Sequence, residues 1–277
     1  PWQADGRVWA ALGRAFGEAG LLERAITYCR RAVQAENAQA TLKDIEQLAN
    51  FESRHAVRLA GRGAPQEALA SIDRAIDRLG VIADPRLVDD PAKALTVERL
   101  SLLGSAWKRR ALISEADRQR SLQQMLASYR QAGDLAVAKQ QRADAYPLLN
   151  RLTAELALAW QEGRTGIAPE ALAAFRKALA DGRIVLESAR KAAPDVWGRI
   201  GLGDIALLAA LGEATFDDRA AEAIAEAYRE ARKLASPREF ASVFDQFDFL
   251  GAMAGENETA LRFLRSIRTQ IQGAADS

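Results

Sequence analysis

Two side chains in this sequence are of the types that nucleophilic catalysis uses, and each occurs once. Cys29 is the only cysteine and His55 is the only histidine. A catalytic thiol needs a base beside it, and acyl transfer also needs backbone N–H groups that form an oxyanion hole. No glycine-rich turn follows either residue, and both fall at inward positions of predicted helices. We therefore interpret Cys29 and His55 as packing residues and predict no catalytic residue.

Asp204 interrupts an apolar helical stripe that includes Trp197, Ile200 and Leu208. A carboxylate on an apolar face must be paired or hydrogen-bonded, because its desolvation is costly. Arg199 is not on that face, so its partner must come from another helix. We predict a structural buried pair, and a ligand-facing role for Asp204 is the alternative.

Three nearby glycines, Gly198, Gly201 and Gly203, raise the question of a phosphate-binding loop. Their spacing is not G-x-G-x-x-G and no strand precedes them, so close helix packing explains them better. The sequence also contains no H-E-x-x-H, G-x-S-x-G, P-loop or EF-hand pattern. We accordingly predict no cofactor and no metal site.

Composition and charge are those of an ordinary globular chain of 277 residues, with 49% hydrophobic and 27% charged residues. The net charge is +1, and the short basic clusters at 108–110 and 118–120 are typical of solvated helix faces, so we predict no nucleic-acid partner.

No apolar run approaches the ~18 residues of a membrane span. A single cysteine fits a reducing compartment, which predicts a cytoplasmic location. Because the chain begins with Pro1 and not Met, we expect it to be a piece of a longer or processed protein.

Prolines and capping residues divide the chain into helices. Ser236-Pro237-Arg238-Glu239 has the order of an N-cap, a first-turn proline and a capping box, and Asp90-Pro91 is a similar start. No stretch alternates apolar and polar residues without also fitting the helical period. The pattern predicts an all-α chain of twelve helices in six pairs, at about 5–18 and 22–36, 38–61 and 65–79, 91–113 and 115–139, 147–162 and 168–192, 195–211 and 217–234, and 237–253 and 257–271.

A repeated pattern of large and small residues occurs on the first helix pair. Its members are Trp9, Leu12, Gly13 and Phe16 on the first helix, and Ala25, Cys29 and Ala32 on the second. This pattern resembles the tetratricopeptide repeat, and it departs from it at Cys29, where an aromatic residue is usual, and at Asn37, where proline is usual. The resemblance implies an α-solenoid of about six antiparallel helical hairpins.

Parts of the pattern return later in the chain, at Ala68, Ile72, Ala75, Leu100, Leu103, Gly104, Trp107, Tyr129 and Ala132. The last alanines of the three units lie 43 and 57 residues apart, whereas a regular array repeats about every 34 residues. We therefore predict three irregular tetratricopeptide-like hairpins in 1–139, with divergent hairpins continuing the same solenoid in 140–277.

Two segments have a narrower resemblance. Tyr146-Pro147-Leu148-Leu149-Asn150 and Ser236-Pro237-Arg238-Glu239-Phe240 each open a helix. They are similar to the divergent TRAF-binding-type helical repeat region of stress-signalling kinases, which has relatives in bacterial proteins with a caspase-like (CHAT) peptidase domain. This resemblance implies a regulatory segment that docks partners beside an effector domain.

The tetratricopeptide resemblance implies a binding groove lined by the first helix of each hairpin. Candidate groove residues by repeat position are Arg7, Arg14, Ser53, Arg54, Ser105, Lys108 and Arg109. Arg14 stands where families that clamp a peptide carboxylate carry Asn, so that clamp is not reproduced. The basic character favours an acidic or extended peptide, and hence a protein-binding scaffold. A helical enzyme and a carrier of an apolar small molecule are the alternatives.

Overall fold

The computed structural model describes residues 5–35, 40–90, 93–140, 144–192 and 195–273. Within these ranges the chain forms twelve α-helices and no strand, so the predicted all-α helical-repeat solenoid class is confirmed. The helices are α1 (Gly6–Glu18), α2 (Leu22–Val33), α3 (Leu42–Gly61), α4 (Pro65–Ala83), α5 (Val97–Ile113), α6 (Arg118–Gln140), α7 (Ala145–Gln161), α8 (Pro169–Ala192), α9 (Val196–Gly212), α10 (Asp218–Arg232), α11 (Pro237–Ala254) and α12 (Glu258–Gly273).

Most predicted helices lie within a few residues of the observed ones, and α5 is the main exception. It was predicted to begin near residue 91, whereas it begins at Val97. Thr96 is its N-cap and accepts a hydrogen bond from the backbone N–H of Arg99. Just before this start, the Arg99 guanidinium donates a hydrogen bond to the carbonyl of Lys93. The predicted Pro91 start and the Asn37 departure lie outside the described residues.

Capping signals that the sequence carries locally are present as predicted. The Ser236 side chain accepts from the Glu239 backbone N–H, and the Glu239 carboxylate accepts from the Ser236 N–H, with Pro237 in the first turn of α11. Thr41 and Asp44 form the same reciprocal capping box at α3. These bonds satisfy backbone donors that have no partner within the helix.

The chain divides into two compact units, residues 1–132 and 133–277. In the first unit α1 packs on α2, α2 on α3, α3 on α4 and α4 on α5, as successive antiparallel hairpins do. Gly13 allows a close approach of α1 to α2: a Cβ there would lie 2.3 Å from the Cys29 sulfur and 3.3 Å from the Ala25 carbonyl oxygen. The predicted role of Gly13 in helix packing is therefore confirmed.

The second unit contains α7 to α12 and has its own core. Phe249 and Leu208 are fully buried, and the ring of Tyr228 packs edge-on against Phe247. The side chain of Gln246 on α11 donates to Thr153 Oγ1 on α7 at 3.2 Å, so these two helices touch although three others lie between them in sequence. The division of the repeats at residue 139 stays a prediction.

Candidate functional site

The first helices α1, α3 and α5 of the first unit bear the predicted binding residues. We call this set the first-helix face; its members are Arg7, Arg14, Ser53, Arg54, Ser105, Lys108 and Arg109. On it Arg109 of α5 donates to Ser53 Oγ of α3 at 3.3 Å and to the Ser105 carbonyl at 3.3 Å. The Ser105 hydroxyl lies 2.8 Å from the Tyr129 hydroxyl of α6. The structure thus brings together Ser53, Ser105 and Arg109, which the sequence assigned to one groove.

Arg54 follows Ser53 in the sequence, and Lys108 precedes Arg109. Both side chains are half-buried, and each has an interaction partner in the structure. Their charges are therefore held near the helix surface and do not extend freely into solvent.

Arg7 and Arg14 are engaged by carboxylates. Arg7 is exposed and donates through its backbone N–H, Nε and Nη2 to Asp5, at 2.9 to 3.2 Å. The hydrogen bond from Arg7 lowers the pKa of the Asp5 carboxyl. Arg14 lies 2.8 Å from Asp44, the capping residue of α3, and so links α1 to α3. These two arginines are partly neutralised within the chain, unlike Arg109, whose acceptors are uncharged.

Cys29 and His55 do not form a catalytic pair. Cys29 is 1% exposed, and burial, with a smaller contribution from Asp44, raises the pKa of its thiol to about 11. His55 is half-buried, and burial lowers the pKa of its imidazole. Neither residue is among the groups that shift the pKa of the other. The packing role of Cys29 is confirmed, whereas the inward placement of His55 is wrong: its ring lines a surface cavity.

Asp204 has a partner on another helix, as the sequence predicted. The hydroxyl of Tyr228 on α10 donates to Asp204 Oδ1 at 2.6 Å. Asp204 itself is half-buried, and Trp197 at the start of its apolar stripe is 54% exposed. The predicted buried pair is therefore corrected to a tyrosine–carboxylate hydrogen bond at the edge of the core.

Gly201 and Gly203 of α9 serve helix packing, as predicted, whereas a Cβ on Gly198 would meet only the side chain of the N-cap residue Asp195, at 3.3 Å. A Cβ on Gly201 would lie 2.8 Å from Leu186, and one on Gly203 would lie 2.7 Å from the Tyr228 ring. Steric room for neighbouring helices accounts for both residues without a bound phosphate.

One recurrence was missed in the sequence. Ser105–Tyr129 in the first unit and Asp204–Tyr228 in the second are both polar–tyrosine pairs 24 residues apart. In each case a glycine precedes the polar residue and gives the tyrosine ring its space. A search for a glycine followed by a polar residue, with a tyrosine 24 residues after that polar residue, would have extended the repeat beyond residue 140.

Two charged clusters were also missed. Glu52 is fully buried and is surrounded by Arg30, Arg74 and Arg78. Glu46 is buried with Arg99, its Oε1 lying 2.9 Å from the guanidinium. Both carboxylates lie on α3 among buried apolar residues such as Leu48 and Phe51. A charged residue at such a position must have a partner, and this was the signal in the sequence that could have found both clusters.

Two arginines of the basic clusters are engaged by acids. Arg110 is bound to Asp73 at 2.8 Å and to Asp117 at 3.1 Å, and Arg118 lies 3.6 Å from Glu115.

Among the described residues no three His, Cys, Asp or Glu side chains are grouped as a metal ion would need. In the same ranges, no helix combines the length and the apolarity that crossing a bilayer requires.

Comparison with known proteins identifies the repeat. Residues 22–155, which include α2 to α6 and most of α7, match the family model described as Tetratricopeptide Repeats-Sensor. No curated protein matches the sequence. The match agrees with the hairpin packing and with the small residues at the close helix approaches, and we conclude that residues 22–155 of this chain form repeats of the tetratricopeptide type.

Proposed function

We propose that this chain is a scaffold that binds an acidic or carboxylate-bearing segment of a protein partner on the first-helix face. Repeats of this type generally bind proteins or peptides and are generally not enzymes. Cys29 and His55, the candidate nucleophile and base, are not paired. Arg110 and Arg118 of the basic clusters already have carboxylate partners, which favours a protein ligand over a nucleic acid.

The observation that carries this proposal is the position of Arg109. Its guanidinium reaches from α5 to α3 and is held by two uncharged oxygens, those of Ser53 and Ser105. A cation fixed by neutral groups keeps its full charge and is prepared to bind a carboxylate through two parallel hydrogen bonds. We therefore centre the site on Arg54, Lys108 and Arg109, with Arg7 and Arg14 at its edge.

The test is a pull-down with the chain as bait, followed by affinity measurement for the captured partner. Reversing Arg54 and Lys108 to Glu should weaken binding at least about tenfold, because like charges now face the acidic segment. Binding to the parent should also weaken as salt rises, since surface charges are screened within about 8 Å at physiological ionic strength.

A matched control reverses Arg120 and Arg262, two exposed arginines on second helices, and changes the net charge equally. This control should bind as the parent does, and circular dichroism should be the same for all three proteins. A partner that binds the Arg54 and Lys108 variant as tightly as the parent would contradict the proposed face.

We also propose that the chain is a regulatory segment of a larger signalling or effector polypeptide. The matched family model is described as a sensor, and the weaker resemblance to TRAF-binding-type repeats agrees with such a role. The sequence of the full-length gene tests this: a peptidase or kinase domain beside the segment would support it, and a chain without any effector domain would contradict it.

A further inference from the structure

A cavity of about 330 Å³ lies between the second helices α2 and α4 of the first unit, with α3 beneath it. Its lining is arranged by charge along the helices. By their positions on α2 and α4, Glu23 and Glu67 mark one end, and Arg30 and Arg74, two turns later on the same helices, mark the other. Between them α3 contributes His55 and Leu59. This polar lining does not suit an apolar small molecule, so the carrier alternative finds no support in this cavity.

The basic end is built on the buried carboxylate of Glu52. Arg30 donates to Oε1 through Nε at 3.1 Å and through Nη2 at 2.7 Å, and Arg78 donates to Oε2 through Nε at 3.0 Å. Both carboxylate oxygens are thus satisfied by two guanidinium groups. A buried carboxylate requires such pairing, because an unpaired charge away from water is strongly destabilising.

Arg74 is a third cation beside Glu52 and is not needed to satisfy its two carboxylate oxygens. Its Nε lies 3.9 Å from Glu52 Oε1, which is too long for a hydrogen bond. The side chains of Arg74 and Arg30 are 48% and 40% exposed, and both residues line the cavity. Three cations around one anion leave a surplus of positive charge, and neither Nη1 of Arg30 nor the guanidinium of Arg74 is used by Glu52. Guanidinium N–H groups are strong donors to carboxylate or phosphate oxygens.

The opposite end has the opposite charge. Glu23 and Glu67 precede Arg30 and Arg74 by seven residues on the same two helices, which separates the two ends by about 10 Å. Glu67 is exposed, and Glu23 is paired with Arg62 at 3.3 Å, with both side chains about two-thirds exposed. An exposed pair of this kind is weak, so a bound cation can replace Arg62 at small cost.

We infer that this cavity binds a small zwitterionic ligand, with its oxyanion between Arg30 and Arg74 and its ammonium group between Glu23 and Glu67. The volume falls within the range of about 300–1,000 Å³ that small-molecule sites occupy. This site is distinct from the first-helix face, because it is formed by second helices and takes a different class of ligand. Its test is therefore independent of the proposed protein partner.

The test varies the length of the ligand, and so the distance between its carboxylate and its ammonium group. The probes are γ-aminobutyrate, ε-aminocaproate and ω-aminocaprylate, with caprylate and inorganic phosphate as ligands that lack the ammonium group. His55 is the only histidine, so its ring resonances report on the middle of the cavity without overlap. Burial lowers the pKa of His55, which keeps the ring neutral at neutral pH.

Affinity should rise along the amino acid series and be highest for ω-aminocaprylate, with saturable shifts of the His55 resonances. Caprylate and phosphate should bind at least about tenfold more weakly, since each lacks one charged contact. An absence of any His55 shift would overturn the inference, as would equal affinity for ω-aminocaprylate and caprylate.

Arg74 and Arg78 provide a matched pair of variants. Arg74→Gln removes a cavity cation that makes no hydrogen bond to Glu52, so it should weaken ω-aminocaprylate binding at least about tenfold and leave the melting temperature nearly unchanged. Arg78→Gln removes a Glu52 partner that does not line the cavity, so it should lower the melting temperature and retain binding in the folded protein. Unchanged ligand affinity in Arg74→Gln would contradict the site.

Glu67→Gln tests the acidic end separately. Because Glu67 is exposed, this change should leave the fold intact. It should reduce the preference for ω-aminocaprylate over caprylate, without changing phosphate binding at the arginine end. A preference that survives in Glu67→Gln and in Glu23→Gln would show that the acidic end has no role in recognition.

Discussion

The hydroxyl of Tyr228 donates a hydrogen bond to Oδ1 of Asp204 across 2.6 Å, joining α10 to α9 in the second unit. Tyr228 is fully buried, and its ring occupies the space that Gly203 leaves open. The first unit contains the same arrangement between Tyr129 and Ser105. One packing device thus joins a second helix to a first helix in each unit, with a carboxylate acceptor in one and a hydroxyl in the other.

Replacing Tyr228 by Phe should lower the free energy of unfolding by about 1.5–3 kcal/mol, because a hydrogen bond to a charged acceptor is lost. Tyr129→Phe is the matched control and should cost about 0.5–1.5 kcal/mol, since its partner Ser105 is neutral. Urea unfolding of both variants measures the difference. A larger loss in Tyr129→Phe than in Tyr228→Phe would show that the carboxylate adds nothing to the pair.

The same tyrosine should make stability depend on alkaline pH. Burial, followed by the negative charge of Asp204, raises the pKa of Tyr228 well above its ordinary value. The folded state therefore holds this proton more tightly than the unfolded state, whose tyrosine pKa is about 10. The resulting stability is complete below that pH and is lost as the pH rises through and above it. The urea midpoint of the parent should fall more steeply there than that of Tyr228→Phe.

Gly13→Leu should destabilise the first hairpin by roughly 1–3 kcal/mol, the usual range for overpacking. Any side chain at Gly13 meets the Cys29 sulfur and the α2 backbone. Gly80→Ala in α4 is the control, because its Cβ would meet no atom within 4 Å. The control should be neutral or slightly stabilising, as alanine favours helix over glycine. An unchanged melting temperature for Gly13→Leu would contradict the repeat alignment.

Arg99→Met should cost about 3–5 kcal/mol, the usual effect of breaking a buried ion pair. Arg99 is 3% exposed, pairs with Glu46, and also donates to the carbonyl of Ile82 at 2.9 Å. Its loss leaves Glu46 buried without that cation. Arg265→Met is the control, since its pair with Glu258 is about two-thirds exposed and should contribute at most about 1 kcal/mol. Denaturant midpoints that shift equally would contradict this difference.

Cys29 should not react with a disulfide-type thiol reagent in the native protein. Its side chain is 1% exposed, and with a pKa of about 11 the thiol stays protonated at neutral pH. The thiolate is the reactive form, so both access and charge state oppose the reaction. Release of the reagent chromophore should appear only after unfolding in urea. Rapid native-state labelling would revive the nucleophile that the sequence suggested.

The sequence by itself determined the class of fold and most helix bounds, because those signals are local. The capping box of Ser236 and Glu239 involves residues three positions apart, and the helical period repeats within a few residues. The small residue at Gly13 could likewise be assigned to a close helix approach from the repeat pattern alone. None of these inferences required knowing which helices meet.

Only the tertiary structure decided which side chains are partners. Glu52 meets Arg30 and Arg78 from helices on either side of α3, at separations of 22 and 26 residues. A hydrophobic pattern indicates that a face is buried, but not which neighbouring element covers it or which charge that element bears there. The contact of Arg99 with Glu46 likewise spans 53 residues. Long-range pairing depends on packing geometry, and packing geometry is set by all the helices together.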